Sequence, residues 1–144
     1  MMVGSRHFGD GRCAFCVWAP LWESVDVRLL QPKGAVVPMR KLPFGYWTVD
    51  VEGVYPGARY LYRLGGRVER PDPASHFQPQ GVHGPSQVVD HKDFCWDDGA
   101  WRGIPLEEMI LYELHVGTFT HQGTFASAAN KLAYLKDLGI NAVS

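Results

Sequence analysis

The chain has almost no charge imbalance. Its 144 residues carry 14 Lys+Arg against 15 Asp+Glu, a formal net charge of −1. A nucleic-acid partner needs an excess of clustered Lys and Arg, so none is expected. Disorder needs high charge and few apolar residues. Here 20% of residues are charged and 46% hydrophobic, enough to build a core. No stretch approaches the roughly 20 apolar residues of a membrane span, so no membrane contact is expected. Residues Met1 to Arg12 hold no apolar run, and no signal peptide is expected either.

Cysteine is scarce and odd in number, at three. Cys13 and Cys16 form a lone C-x-x-C, with no second pair to complete a zinc site. On a strand, positions three apart point to opposite faces, so the two are read as ordinary reduced thiols. No metal is expected, and the cytoplasm is the default compartment. A phosphate-binding fingerprint is also missing. Gly117 to Gly123 has neither the G-x-G-x-x-G nor the G-K-[ST] form, so no nucleotide or other cofactor is expected. There is no internal repeat and no low-complexity tract.

Aromatic residues are abundant: five Trp, six Tyr and seven Phe. They build β cores, and they also make sugar-stacking platforms. The first half of the chain is β in pattern. Cys13–Ala19 is β-rich and stopped by Pro20. Val25, Val27 and Leu29 alternate on one face, as do Trp47, Val49 and Val51, and then Tyr60, Tyr62 and Leu64. Pro38–Leu42 is a weaker strand. Tyr55-Pro56-Gly57 reads as a turn, and Gly65-Gly66 as a two-residue hairpin connection into Arg67–Arg70. Short strands broken by frequent turns predict a sandwich.

Pro71–Ser86 holds four Pro and two Gly and predicts an irregular loop. Asp72, His76, Phe77 and His83 within it could form a site. The plainer reading is a loop laid over the sandwich and pinned by Phe77 and its prolines. Gln87–Val89 could return as a strand. His91–Glu108 has no clear period, and its Trp96 and Trp101 suit burial at a seam between domains.

Met109–Thr118 reads as a buried strand. The alternation puts Leu111, Glu113, His115 and Gly117 on one face and Ile110, Tyr112, Leu114 and Val116 on the other. Thr124 can N-cap a helix on which Phe125, Ala128, Leu132, Leu135 and Leu138 recur at helical spacing, with Gly139 at the C′ position. Ile140–Ser144 looks like a second strand cut short. The whole is a βαβ unit that stops where a larger fold should begin.

VWAP at Val17–Pro20, GYW at Gly45–Trp47 and PGARYLYRL at Pro56–Leu64 resemble the amino-terminal β-sandwich of the α-amylase superfamily. LYELHVGTFT at Leu111–Thr120 and GTF…LAYLKDLGINAV at Gly123–Val143 resemble that superfamily's first barrel strand, helix and second strand. The Arg70–Asp90 stretch joined to Trp101–Thr120 is similar to the trehalose-releasing members. The resemblance runs from about Phe15 to the end of the chain.

The resemblance implies a fold class that is mainly β: an immunoglobulin-like (early-set) β-sandwich followed by the first βα step of a truncated (β/α)8 barrel. Residues 1–90 would be the sandwich, carbohydrate-binding-module-like. Residues 91–108 would link it to the barrel start at 109–144. The implied activity is that of a retaining glycosidase releasing trehalose from α-glucans that end in a trehalose unit. Its nucleophile and acid, roughly 5 Å apart, sit at the carboxyl ends of barrel strands. Those strands are expected beyond Ser144, so no catalytic residue is assigned. Thr118, Phe119 and Thr120 are the candidates for lining the barrel mouth, and Glu113 and His115 are expected to be interior scaffold. The implied partners are the α-glucan substrate and the missing barrel; the chain alone should be inactive, an accessory domain. Two alternatives remain. One is a stand-alone α-glucan-binding module using Tyr46, Trp47, Tyr60 and Tyr62. The other is the same portion of a glycogen branching or debranching enzyme.

Overall fold

Alternation along each strand decides what is buried. In β2 (Cys13–Trp18), Cys13, Phe15 and Val17 point inward and Trp18 outward. Val25, Val27 and Leu29 do the same in β3 (Val25–Leu29), as do Tyr60 and Tyr62 in β7 (Arg59–Leu64). The computed structural model, which describes residues 2–31 and 34–144, packs these inward residues into one core. Phe15 meets Tyr60 edge to face, with ring centroids 4.8 Å apart.

Two antiparallel sheets supply that core. The first, of four strands, contains β1 (Gly4–His7), β2, β6 (Tyr46–Val51) and β5 (Arg40–Lys41), in that order. The second runs β4 (Ala35–Pro38), β3, β7, β8 (Val68–Arg70), and β9 (Ser86–Gln87) also pairs with β7. Its outer face carries ion pairs, Asp26 with Arg63 at 2.9 Å and Arg28 with Glu69, as expected where a sheet meets water.

Three sandwich features differ from the sequence expectation. Gly4–His7 forms an edge strand although it lacks an apolar pattern; it pairs with β2 from Gly4↔Cys16 to His7↔Cys13. The expected strand Pro38–Leu42 is two short strands in different sheets. The chain crosses between them at Met39, whose side chain is buried and whose N–H donates to the Val25 carbonyl at 2.9 Å. The expected Gln87–Val89 strand is β9, shifted towards the loop.

The chain divides into two units, Met1–Cys95 and Trp96–Ser144. In the second, β10 (Leu111–Tyr112) and β11 (Ala142–Val143) pair in parallel, Leu111↔Ala142 and Tyr112↔Val143. Between them lie three short helices, α1 (Val116–Phe119), α2 (Phe125–Ala129) and α3 (Leu132–Asp137). Thr124 caps α2 as predicted, in a reciprocal capping box with Ser127. Gly139 closes α3, its N–H donating to the Lys136 carbonyl while the Ile140 N–H reaches back to that of Leu135.

The expected strand Met109–Thr118 is corrected to two residues. β10 has β11 as its partner, and the last ladder bond runs from the Leu114 N–H to the Ser144 carbonyl at 2.9 Å. The chain then turns into α1, with the His115 carbonyl accepting from Thr118 and Phe119. The single helix 125–138 is likewise broken at Asn130–Lys131, where Lys131 donates to Ala128 in a tighter turn. Among the described residues no helix is long and apolar enough to cross a membrane.

Candidate functional site

The 71–86 loop leaves and re-enters the same edge of β7. Residues Tyr62–Leu64 pair with β8, and Arg59 and Tyr60 pair with β9. Its neck is closed by polar groups. Asp72 is 3% exposed, the one buried carboxylate among the described residues. Its Oδ2 accepts from the Tyr60 hydroxyl at 2.7 Å and lies 3.2 Å from that of Tyr62; its Oδ1 accepts from the Ala74 N–H at 2.8 Å. The Asp72 N–H donates to the Ser86 hydroxyl at 2.9 Å, which ties the two ends of the loop. Burial raises the Asp72 carboxyl above its ordinary value, against the lowering effect of those hydrogen bonds. Burial, then the Asp72 charge, also raises both tyrosines.

The loop is therefore pinned by Asp72 and Ser86, whereas Phe77 is exposed. The sequence expectation of an apolar pin is corrected: the strong anchor is a satisfied buried carboxylate. His76 and His83 are exposed as well, and the His76 ring meets that of His91 edge to face at 4.6 Å.

Holding Pro71 and Pro73 in place creates an open groove beside them. It has a volume of ≈ 380 Å³, and its walls include Trp18, Leu21, Trp22, Arg70, Pro71 and Pro73. Trp18 is 58% exposed, and its indole N–H donates to the Phe44 carbonyl at 2.9 Å, which fixes the ring. Trp22 is half-buried and rests on the β7–β8 turn. A Cβ at Gly65 would stand 2.9 Å from the Trp22 ring, so the turn needs glycine there for space as well as for its positive φ of 57°. Arg70 donates to the Glu69 carbonyl at 2.8 Å and brings a cation to the groove. Two flat apolar faces with a multiple donor beside them can hold a ligand that has one apolar face and a hydroxylated rim.

The aromatics named from the sequence lie elsewhere. Trp47, Tyr60 and Tyr62 are buried and Tyr46 is half-buried, so they do not form a surface platform. Trp18 was legible in VWAP, because alternation sets it opposite Val17; pairing it with Trp22 needed the fold. Trp96 and Trp101, expected at a seam, are largely exposed.

In the second unit, Glu113 and His115 are both exposed. The interior expectation rested on a strand that ends at Tyr112, and no further strand among the described residues lies over them. Thr118 and Phe119 lie on α1, and Phe119 faces Tyr112 with ring centroids 6.1 Å apart. Thr120 is drawn into the α2 cap, its hydroxyl 2.6 Å from that of Ser127. Asn141, not singled out from the sequence, bridges the unit: Oδ1 accepts from the Ile110 N–H and Nδ2 donates to the Glu108 carbonyl, each at 2.7 Å. Among the described residues no three His, Cys, Asp or Glu side chains converge as a metal site would require. Cys13 and Cys16 are buried free thiols, and burial pushes Cys13 up to about 12.

The profile of carbohydrate-binding module 48 (isoamylase N-terminal domain) matches residues 3–75. The chain belongs to the carbohydrate-binding module 48 family. The matched span takes in the strands β1 to β8, both groove tryptophans and Asp72. This module 48 chain is also similar to longer proteins. It is 42% identical to the malto-oligosyltrehalose trehalohydrolase of Saccharolobus solfataricus, over 99% of this chain and 25% of that one. With the enzyme of the same name from Deinococcus radiodurans it is 44% identical, over 94% of this chain and 22% of that one. A Salmonella typhimurium crystal structure, provisionally assigned as an alpha amylase, superposes with a TM-score of 0.89 and 38% identity, covering 98% of this chain and 24% of that one. The chain thus spans about a quarter of the length of the curated relatives it matches.

Proposed function

We propose that this chain is the amino-terminal part of a malto-oligosyltrehalose trehalohydrolase, a retaining glycoside hydrolase that releases trehalose from maltooligosyltrehalose. The carrying observation is the 42% identity that runs through 99% of the chain, both units included, with an enzyme of that name. In this reading residues 1–90 are an early-set accessory sandwich, 91–108 link it onward, and 109–144 open a (β/α)8 barrel. The parallel pair β10–β11 with helices between its strands supports that opening.

The chemistry needs two carboxylates about 5 Å apart across the scissile bond. No carboxylate of this chain takes either role. Asp72 is buried with both oxygens accepting hydrogen bonds, and Glu113 is exposed on the turn into α1. Thr118, Phe119 and Thr120 would line the barrel mouth of the complete enzyme. The buried, unpaired Cys13 and Cys16 suit the reducing cytoplasm, where we place the protein.

Trehalose release from maltooligosyltrehalose tests the proposal. This chain alone should release none above a protein-free control. A chimera in which it replaces the matching quarter of the Saccharolobus enzyme should release trehalose. Turnover by the isolated chain, or a folded chimera that yields only maltooligosaccharides, would count against it.

A further inference from the structure

We propose that Glu113 and His115, in the turn that leaves β10, hold hydroxyl groups of the glucan substrate at the barrel mouth. The proposal rests on the reading of residues 109–144 as a barrel opening. Chain direction places the turn. β10 and β11 run parallel, and the chain passes from the carboxyl end of β10 into α1. The last ladder bond is made by the Leu114 N–H, and α1 begins at Val116. Glu113 and His115 flank Leu114, so both lie where strand gives way to loop. In (β/α)8 enzymes the substrate is met by the loops that follow the carboxyl ends of the strands.

Hydrogen bonding then separates these two residues from their neighbours. The Thr118 hydroxyl donates to the His115 carbonyl at 3.2 Å, the Thr120 hydroxyl is 2.6 Å from that of Ser127, and Phe119 faces Tyr112. Those side chains are engaged within the unit. Glu113 and His115 are exposed, and among the described residues neither side chain has a hydrogen-bond or ion-pair partner. The imidazole is also held in place. A Cβ at Gly117 would stand 2.9 Å from His115 Cε1 and 3.2 Å from Nδ1, so the ring sits over the space that glycine leaves. Gly117 has no positive φ, which makes room for the ring the reason for glycine there. A preset ring loses little freedom on binding. A carboxylate accepts from hydroxyl groups, and an imidazole bonds them through either ring nitrogen. Neighbouring hydroxyls on a glucosyl unit, each both donor and acceptor, match that pair, and bonds to the charged carboxylate are the stronger kind. The role is binding: neither residue is the nucleophile or the acid.

The chimera that carries this chain in place of the matching quarter of the Saccharolobus enzyme is assayed for KM and kcat on maltooligosyltrehalose. His115→Ala and Glu113→Gln should each raise KM roughly tenfold while kcat changes less than about threefold. His115→Asn, which keeps a donor and an acceptor, should recover part of the loss. Gly117→Ala, which displaces the ring, should raise KM in the same direction as His115→Ala. The two exposed side chains should leave the melting temperature within about 2 °C of the parent. The proposal is overturned if KM stays within about twofold of the parent in both His115→Ala and Glu113→Gln. It is equally overturned if kcat and melting temperature fall together at constant KM, the result of a scaffold role. A chimera that yields only maltooligosaccharides refutes the enzyme assignment, and the same KM comparison for that reaction still decides the binding role. With no turnover at all, calorimetric titration of maltoheptaose into the parent chimera and the same variants decides it: weaker binding in the variants supports the proposal, and equal or absent binding overturns it.

Discussion

The Tyr60 hydroxyl donates to Asp72 Oδ2 at 2.7 Å, and neither residue has contact with solvent beyond a few per cent of its surface. This one bond joins the middle of the second sheet to the neck of the long loop. Tyr62, Ala74 and Ser86 complete the set, so every polar atom placed there by the loop has a partner. Paired in this way, a buried carboxylate orders the 71–86 loop and with it the prolines of the groove.

Asp72→Ala should be the most damaging substitution in the loop. It leaves two buried tyrosine hydroxyls without their acceptor and frees the loop neck, a loss of about 3 kcal/mol by urea denaturation. Phe77→Ala, on an exposed side chain, should change stability by less than about 0.5 kcal/mol. Equal losses from the two would show that the polar neck is not the anchor.

Asp72 should also give stability a pH dependence of unusual sign for an acid. Burial raises its carboxyl above the unfolded value. The folded state therefore holds a proton that the unfolded chain has released, and this contribution is fully present below the unfolded pKa of about 3.9. It is lost as pH rises through the raised folded value. Asp10 and Asp90 act oppositely. Backbone N–H groups of Arg12 and Lys92 hold them below the ordinary value, so their contributions are lost as pH falls. Subtracting the Asp72→Asn stability curve from that of the wild type isolates the first effect. The wild type should lose ground to the variant as pH rises from acid towards neutrality, and a flat difference would refute the assignment.

Phe44→Gly should stabilise the fold by about 0.5–1 kcal/mol, because glycine tolerates the φ of 62° that phenylalanine does not. Gly45→Ala should do the reverse. Its Cβ would sit 2.5 Å from that of Pro20 at a φ of 82°, and we expect a loss of about 2–4 kcal/mol by thermal denaturation.

Asn141→Ala should loosen the second unit alone. Its side chain makes the two bonds that join Ile110 and Glu108 to the start of β11. Hydrogen exchange at Ala142 and Ser144, whose N–H groups donate to Ile110 and Tyr112, should quicken roughly tenfold while β2, β3 and β7 are unchanged. Uniform acceleration across both units would instead indicate a global loss.

Thiol reactivity separates the three cysteines. Cys95 is exposed, whereas Cys13 and Cys16 are buried. Burial raises both buried thiols, Cys13 to about 12, and little thiolate forms there at neutral pH. An aromatic disulfide reagent should label Cys95 quickly in the native protein and the other two after denaturation. Fast labelling of Cys13 would contradict its place in the core.

Local pattern alone determined much of the sandwich. Alternation at Val25–Leu29, Tyr46–Val51 and Arg59–Leu64 is a local consequence of one face being buried, and the strands lie where it occurs. Gly65-Gly66, the Thr124 cap and the Gly139 stop are equally local, because each depends on backbone conformation within a few residues. What the tertiary structure decided depends on partners distant in the chain. Met39 could cross between sheets because both sheets were there to receive its neighbours. Gly4–His7 became a strand because β2 offered an edge, despite having no apolar period of its own. Met109–Thr118 has a strand's pattern, but strands are made by pairing, and the pairing extends only along Leu111–Tyr112 and the Leu114 bond. Glu113 and His115 lost their shared face for that reason. The groove follows the same rule. Trp18 and Trp22 are four positions apart, yet the groove they share is closed by Pro71 and Pro73, some fifty residues further on, in the loop that Asp72 anchors.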